Sequence, residues 1–354
     1  MLISMNDHRP HHVATIAGYL HMGFTFIKSK NAGFSNKDKI IHEKSHSELP
    51  DTATSHSDPT PFIDRLVVTL KASSIKDGKQ MKSAHFIAAE DSTIFKPTRH
   101  SRGYKRAYRI RLESVVDSTK WPFYEFAWNE DSITRVRIDF IPVDIGRAGL
   151  IDLHAALTTL MPNGWRYFIE NGRVTRMDVA VDFPQATMAD FCPFPATSIT
   201  TKTWTSTGAL ETIEFGKTKG NQTMIYDRKA KRIAKGKSSQ GKIGVRIERR
   251  LRAPNLMLRD LPSLGNPFAN LSASVNHVPQ PACEKSQGKW LRFTYAAQVM
   301  GLAVALSTLS TLRRKAYRAH FKLYGVAWWK PEAYWISWTK DLLKLGIADS
   351  KAWI

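Results

Sequence analysis

The chain is poor in cysteine and has no recognisable export signal. Only Cys192 and Cys283 occur in 354 residues, so neither a disulfide framework nor a thiolate zinc site is supported. The first residues, "MLISMNDHRPHH", carry charge and histidine where a secretory signal needs an apolar core. We therefore expect a protein of a reducing compartment, the cytoplasm.

Long apolar runs are also scarce. The one membrane-like stretch, "YAAQVMGLAVALSTLSTL" at 295–312, contains Gln298 and several hydroxyl residues. It barely reaches the length that is needed to span a bilayer. The sequence predicts a buried core helix here and no membrane association.

Acidic residues are outnumbered. Fifty-two Lys and Arg oppose thirty-one Asp and Glu, which gives a formal charge of +21. The basic residues lie among Tyr, Trp and Phe and not on one amphipathic helix, which favours nucleic acid as the partner. A basic surface kept for solubility is the alternative, and ribosomal or membrane-surface roles remain open.

Short β-branched or aromatic segments, bounded by polar turn residues, predict a sheet. The predicted strands are 62–70, 104–112, 123–128, 133–141, 173–183, 211–216, 222–227 and 242–252. Helical spacing appears at 146–161, 286–322 and 331–346. The order predicts an α+β fold: an antiparallel-rich central sheet that carries the active site, with helices packed on it and a mainly helical C-terminal region.

The chain divides by composition into three parts. Residues 1–60 are predicted as an N-terminal extension and polar linker, 61–271 as the sheet domain, and 272–354 as the helical C-terminal region. In the last part, the tryptophans at 328, 329, 335 and 338 are expected to pack a small core. The basic segment "LRRKAYRAHFK" (312–322) is either a phosphate-gripping helix or a solvated helix end.

The segment "RVTRMDVAVDF" (173–183) places two aspartates in an apolar strand. Alternation directs Thr175, Met177, Val179, Val181 and Phe183 to the core, and Arg176, Asp178, Ala180 and Asp182 to the other face. The carboxylates of Asp178 and Asp182 then lie about 13 Å apart, which is long for one metal ion unless a bulge shortens it. Small Ala180 leaves room for a ligand, although a strand with one solvated face explains the pattern equally well.

A second strand repeats this arrangement in "KIGVRIERRLR" (242–252). Its alternation directs Ile243, Val245, Ile247 and Leu251 to the core, and Gly244, Arg246, Glu248, Arg250 and Arg252 to the other face. Glu248 is the one acid among arginines, so surface salt bridges are one explanation. If Glu248 faces Asp178 across neighbouring strands, the pair would form an oxygen-ligand site suited to Mg²⁺ or Mn²⁺.

Between these strands lies a strongly basic segment. From Lys217 to Arg252 thirteen residues are basic, and only Asp227 and Glu248 are acidic. This density predicts salt-dependent phosphate binding. Tyr226 lies within it, and adjacent cations and a metal would favour its phenolate and make it a nucleophile. A packing or base-stacking tyrosine is the alternative.

Five segments together resemble a known family, the trans-acting rolling-circle replication initiators of plasmids, with the related replication initiation factors of filamentous phages. The segments are "FIDRLVVTL" (62–70), "RVTRMDVAVDF" (173–183), "TIEFGKTKGNQTMIYDRK" (212–229), "VRIERRLR" (245–252) and "LPSLGNPFANL" (261–271). They occur in the family's order and span close to 60% of the chain.

This resemblance implies a metal-dependent DNA nickase and ligase. Tyr226 would attack a phosphodiester at the replication origin, keep the 5′ phosphate and free a 3′ hydroxyl primer, with Mg²⁺ or Mn²⁺ as Lewis acid. The implied metal ligands are Asp178, Asp182 and Glu248, and the implied DNA-binding residues are Arg176, Lys217, Lys219, Arg228, Arg246, Arg250 and Arg252. The implied partners are origin DNA of a plasmid or phage and the host helicase and polymerase, in the cytoplasm of a bacterial host, with a homodimer as a further expectation.

Two departures from the family pattern affect the expected roles. Arg228 stands where the family usually has lysine, and since arginine cannot readily accept a proton, any acid-base role passes to Lys229 or water. No His-x-His metal motif occurs, so carboxylates must replace it. A non-enzymatic, sequence-specific DNA-binding regulator is the alternative function, and an RNA-binding role also remains open. A tyrosine recombinase is less well supported, because no His-x-x-Arg precedes a late tyrosine.

Overall fold

Within the described residues, ten strands form one large antiparallel sheet, and the antiparallel-rich sheet that the sequence predicts is therefore confirmed. The structure, a computed structural model, describes residues 59–91, 93–196, 200–206, 209–238, 240–241 and 243–347. The ten strands are β1 (Phe62–Leu70), β2 (Phe95–Thr98), β3 (Arg106–Ile110), β4 (Phe123–Trp128), β5 (Ile133–Phe140), β6 (Arg173–Phe183), β8 (Thr201–Ser206), β9 (Ala209–Phe215), β10 (Gln222–Asp227) and β11 (Val245–Met257). Their order across the sheet is β2-β3-β4-β5-β1-β6-β11-β10-β9-β8. A separate pair joins β7 (Phe191–Pro195) to β12 (Leu271–Val275).

Helices cover the apolar face of the sheet. The early helices are α1 (Ile75–Glu90), α2 (Pro142–Leu160) and α3 (Gly164–Asn171), and α4 (Arg228–Ile233) follows β10. Leu153, Leu157 and Phe168 on α2 and α3 are fully buried and belong to the same apolar core as the sheet. The helical pattern predicted for 146–161 is therefore confirmed, and the α+β class is correct.

The alternation predicted for β6 holds along most of the strand. Met177, Val179 and Val181 are fully buried in the core. Thr175 is the exception, because a bulge against β1 at this point gives the core position to Val174. The hydroxyl of Thr175 donates instead to the carbonyl of Val67 at 3.2 Å.

The C-terminal region is helical, as predicted, but one helix is broken. Its helices are α5 (Gln287–Met300), α6 (Leu302–Ser307), α7 (Thr311–Leu323), α8 (Pro331–Trp335) and α9 (Trp338–Leu345). The single buried helix predicted over 295–312 is wrong, because Gly301 adopts φ 85° and separates α5 from α6. Tyr295 is exposed and Leu302 is buried. In the part of the chain that the structure describes, no helix combines the length and the apolar character needed to cross a bilayer.

The C-terminal tryptophans have a packing role, as expected, but they join the main core of the sheet and do not form a small core of their own. Trp329 and Trp338 are buried, and Trp329 packs against Phe183 of β6. All described residues belong to one unit, His56–Ile354. The predicted border at 271 falls at the start of β12, which pairs with β7 of the predicted sheet domain. The predicted extension over 1–60 lies outside the described residues, except for its last two.

Candidate active site

A cleft of about 560 Å³ lies on the polar face of the sheet, over β1, β6, β11 and β10. Among the residues that the structure describes, nine basic and five acidic side chains line it. The basic ones are Arg65, Arg176, Arg228, Lys231, Arg232, Lys235, Lys237, Arg246 and Arg250, and the acidic ones are Asp64, Asp144, Asp178, Asp182 and Glu248. The surplus of positive charge suits a phosphate-bearing ligand.

Strand register brings the predicted residues together from distant segments. Arg246 on β11 lies opposite Asp182 on β6 and opposite Tyr226 on β10. Glu248 lies opposite Ala180, in the next row on the same face. The space expected above Ala180 is closed, since this residue is fully buried. The antiparallel register therefore joins three segments that are far apart in the sequence.

Tyr226 and Glu248 form the centre of the cleft. The Tyr226 hydroxyl donates to Glu248 Oε2 at 3.2 Å, and both residues are buried. Lys231 Nζ lies 3.2 Å from the centroid of the Tyr226 ring and 4.0 Å from Glu248 Oε2. A phenol, a carboxylate and an ammonium group therefore share one small space.

The protein's own groups keep Tyr226 neutral. Burial raises the pKa of Tyr226 far above its ordinary value, and the Glu248 carboxylate raises it further, which outweighs the lowering by Arg246. The protein's cations alone therefore do not favour the phenolate, because the desolvation of the ring is the larger effect, and the contribution of a metal stays a prediction. Tyr226 needs a proton acceptor to become a nucleophile, and Glu248 Oε2 is at hydrogen-bond distance.

Lys231, and not the predicted Lys229, reaches the tyrosine. Asp227 caps α4 by accepting a hydrogen bond from the backbone N–H of Ala230 at 2.7 Å, which sets the direction of the helix. Lys231 lies against the Tyr226 ring, whereas Lys229 is exposed. Burial lowers the pKa of Lys231 to about 8, although Glu248 opposes this shift. The Asp227 cap is the sequence signal that could have identified Lys231.

Two of the predicted metal ligands are held by arginines. Asp182 accepts from Arg246 Nε at 2.6 Å and from Arg246 Nη2 at 3.0 Å, and Arg228 Nη2 lies 3.1 Å from its Oδ2. Asp178 accepts from Arg176 Nε at 2.9 Å and from Arg176 Nη2 at 2.5 Å, with Arg250 Nε at 3.3 Å from Oδ2. These bidentate pairs occupy both oxygens of each carboxylate.

Asp64 is a site residue that the sequence pattern did not reveal. Residues Ile63 and Arg65 pair with the adjacent Val179 and Asp178 of β6, so Asp64 is the extra residue of a bulge in β1. A bulge redirects a side chain, and here the carboxylate enters the cleft, where its Oδ1 lies 2.6 Å from Arg246 Nη1. Plain alternation cannot predict this placement.

The carboxylates influence one another electrostatically. Burial raises the pKa of Asp64; Arg246 opposes the shift, while Glu248 and Asp178 add to it. No three His, Cys, Asp or Glu side chains within the described residues are grouped closely enough to hold one ion. Mg²⁺ commonly takes only one or two protein carboxylates and completes its shell with water and substrate phosphate. Asp64 fits that requirement because it uses only Oδ1 in its ion pair, and Glu248 would share the ion in exchange for the contact of its Oε1 with Arg250 Nη2, which is 3.2 Å.

The remaining predicted DNA-binding residues lie outside the cleft. Lys217 and Lys219 are exposed in the turn before β10, at the opposite end of that strand from Tyr226. Arg252 lies opposite Arg176 on the polar face, and its backbone N–H donates to Asn221 Oδ1 at 2.8 Å. Arg176, Arg228, Arg246 and Arg250 do line the cleft, as predicted for phosphate contacts.

Comparison with known proteins does not assign the chain to a family. No protein-family model matches the chain, and no curated protein sequence matches it either. The resemblance to rolling-circle initiators stays a prediction, and the chemistry of the cleft is inferred from its geometry.

Proposed function

We propose that the protein nicks and rejoins DNA through Tyr226, as a rolling-circle replication initiator of a plasmid or phage. The observation that carries this proposal is the hydrogen bond from the Tyr226 hydroxyl to Glu248 within a cleft rich in arginine and lysine. A buried tyrosine that already donates to a carboxylate is arranged for proton transfer. The surrounding cations provide electrostatic support for the charge that develops on a phosphate.

The reaction can be written with the chain's own groups. Tyr226 Oη attacks phosphorus, its proton passes to Glu248 Oε2, and the bond from phosphorus to the 3′ oxygen breaks. The leaving 3′ oxygen takes a proton from the Lys231 ammonium, the cation nearest the tyrosine ring. Reversal rejoins the strand: the 3′ hydroxyl returns its proton to Lys231 and attacks the phosphotyrosine, and Glu248 reprotonates Tyr226.

A divalent cation would complete this site. Asp64 and Glu248 are the residues that would hold Mg²⁺ or Mn²⁺, which when bound supplies Lewis-acid polarisation of the scissile phosphate. Asp178 and Asp182 orient the arginines that contact phosphate, because each of them is paired with a guanidinium group. This assignment narrows the ligand set that the resemblance implied.

A covalent-adduct assay tests the proposal without knowledge of the nicked sequence. The purified chain is incubated with Mn²⁺ and a pool of single-stranded DNA of random sequence that is labelled at the 3′ end. Since the 5′ phosphate of the downstream fragment joins the tyrosine, the label should migrate with the protein after denaturation. Mass spectrometry of the adduct should locate the bond on Tyr226.

A matched pair of tyrosine variants provides the control. Tyr226→Phe should abolish the labelled adduct, whereas Tyr295→Phe, at an exposed position on α5, should leave it unchanged. An adduct that survives Tyr226→Phe contradicts the proposal. DNA binding that is unaffected by chelator, with no adduct under any condition, would instead establish the non-enzymatic regulator. RNA in place of DNA tests the sugar preference.

A further inference from the structure

A second cleft lies on the face of the sheet opposite Tyr226. Its volume is about 630 Å³. Pro195, Pro267 and Leu271 form an apolar wall, and Thr223 and Arg249 lie among its polar side chains. This cleft shares no lining residue with the Tyr226 cleft.

Arg249 occupies a position where the strand pattern calls for an apolar residue. On β11, Val245, Ile247 and Leu251 face the core and are buried there. Arg249 has the same parity, and its cross-strand neighbour is Thr223 of β10. A guanidinium group therefore projects from the core face of a central strand, on the side away from Glu248.

The charge of Arg249 has no acidic partner in the described part of the chain. Its Nη1 donates to Thr223 Oγ1 at 2.8 Å, while its buried Nε has no hydrogen-bond partner. Burial alone lowers its pKa. Residues 197–199, which connect the lining residues Ala196 and Thr200, are Thr, Ser and Ile and supply no carboxylate. Arg249 is half-buried, and a partly desolvated cation without a carboxylate partner among the described residues is stabilised by binding an anion.

We propose that this second cleft binds the phosphate group of a nucleotide or of a nucleic-acid strand. The guanidinium of Arg249 would donate to phosphate oxygens in its forked geometry, and Lys217 at the rim would add charge. The wall of Pro195, Pro267 and Leu271 would contact the sugar or base. The protein would then have two phosphate sites on opposite faces of one sheet.

Hydrogen–deuterium exchange of the full chain locates the site. The probes are inorganic phosphate, thymidine monophosphate and a short oligothymidylate, each without added metal. Binding should protect the backbone of 215–223 and 266–271, which surround the second cleft. Tighter binding of thymidine monophosphate identifies a free nucleotide as the ligand, and tighter binding of oligothymidylate identifies a strand.

Arginine variants decide whether Arg249 is responsible. Arg249→Gln should weaken the binding that protects 215–223 by about tenfold or more, since it removes a charged, bidentate donor. Arg249→Lys retains the charge and should bind with intermediate affinity, and Arg292→Gln, on the exposed side of α5, should bind like wild type. Protection confined to the Tyr226 cleft, or wild-type affinity of Arg249→Gln, would overturn the proposal. Tyr226→Phe should bind all probes at this site. The binding proposal can therefore fail while the nicking proposal holds, and the reverse.

Discussion

Two arginine–carboxylate networks lie on the polar face of the same sheet. They differ in whether every charged group has a partner of opposite charge. We call the first the closed network: Arg65, which also lines the edge of the Tyr226 cleft, and Ser101, Glu125, Arg137 and Asp139. Asp139 accepts from Arg65 Nε at 2.8 Å and from Arg137 Nη2 at 3.1 Å. Glu125 is fully buried and accepts from Arg137 Nη1 at 2.9 Å and from the Ser101 hydroxyl at 2.5 Å.

The Tyr226 cleft has the same types of ion pair, but its positive and negative charges do not balance. Its cations outnumber its acids, a phenol donates to one of its carboxylates, and the pKa of Asp64 is raised by burial and by neighbouring carboxylates. Ion pairs in which every arginine and every carboxylate has a partner therefore indicate a role in stabilising the fold. The groups outside these pairs indicate a catalytic or binding role. They are the phenol of Tyr226, the ammonium of Lys231 and the surplus positive charge.

The largest effect is expected at Glu248. In Glu248→Gln the amide can still accept the tyrosine hydrogen bond but cannot take its proton. The rate of adduct formation should fall roughly 10²–10⁴-fold. The control is Glu214→Gln, on β9 in the same cross-strand row, which should react at the wild-type rate. A wild-type rate for Glu248→Gln would remove Glu248 from the mechanism.

The closed network should show the reverse behaviour. Glu125→Gln removes one of the two buried carboxylates that Arg137 contacts and leaves only Asp139, so the free energy of unfolding should fall by roughly 3 kcal/mol. Urea denaturation measures this loss, which should exceed that of Glu248→Gln. The adduct rate at a temperature where the variant is folded should stay at the wild-type value. A variant that is stable but inactive would show that the two networks are not functionally distinct.

Lys231 and Lys229 lie on the same helix, α4, but only Lys231 contacts Tyr226 in the cleft. Lys231→Met should slow adduct formation about tenfold to a hundredfold, while Lys229→Met should have little effect. Because the pKa of Lys231 is about 8, its ammonium form is lost as pH rises through that value. The wild-type rate should therefore decline above about pH 8, and this decline should be absent from Lys231→Met. An unchanged pH profile in the variant contradicts proton donation by Lys231.

The same lysine should make stability depend on pH. The ordinary pKa of 10.5 applies to the unfolded chain, whereas the folded value is about 8. Between these values the unfolded state binds more protons, so stability rises with pH. The free energy of unfolding of wild type, relative to Lys231→Met, should increase from about pH 8 to about pH 10.5 and be constant below pH 8. A constant difference across this range would show that Lys231 is not desolvated.

The smallest effect is expected from metal binding. Mn²⁺ should raise the Tm of the wild-type protein by a few degrees, about the shift that 1–2 kcal/mol of ligand binding gives a chain of this size. Asp64→Asn should abolish the increase, and Asp131→Asn, in an exposed loop, should retain it. An increase that survives Asp64→Asn would place the ion elsewhere.

Strand patterns in the sequence predicted much of the sheet and part of the cleft. β1, β4, β6 and β10 have the predicted bounds, because period-two alternation and flanking turn residues are local properties. α1, α3 and the short strands β2, β7, β8 and β12 were not predicted. β2 and β12 have only four or five residues, and α1 has a weakly amphipathic sequence, so none of the three carries a clear periodic signal.

The site residues that were missed depend on features that periodicity cannot describe. Alternation identified Asp178, Asp182 and Glu248, but Asp64 reaches the cleft through a bulge, and Lys231 through a helix that starts at the Asp227 cap. The pKa of Tyr226 could not be anticipated either, since it depends on how much water the fold removes from the ring. Arg249 is different, because it interrupts the apolar alternation of β11 and the sequence alone could have identified it.

The bulge at Asp64 makes the cleft depend on the number of residues in β1 as well as on their identity. Asp64 lies outside the pairing with β5, which runs from Leu66 to Leu70, and it has no partner of its own on β6. Deleting this one residue would leave a continuous ladder and remove one carboxylate from the cleft. Deleting Val67 instead would reverse the facing of Ile63 and Leu66, both of which are fully buried. Single-residue deletions along β1 should therefore be tolerated at this position and at few others.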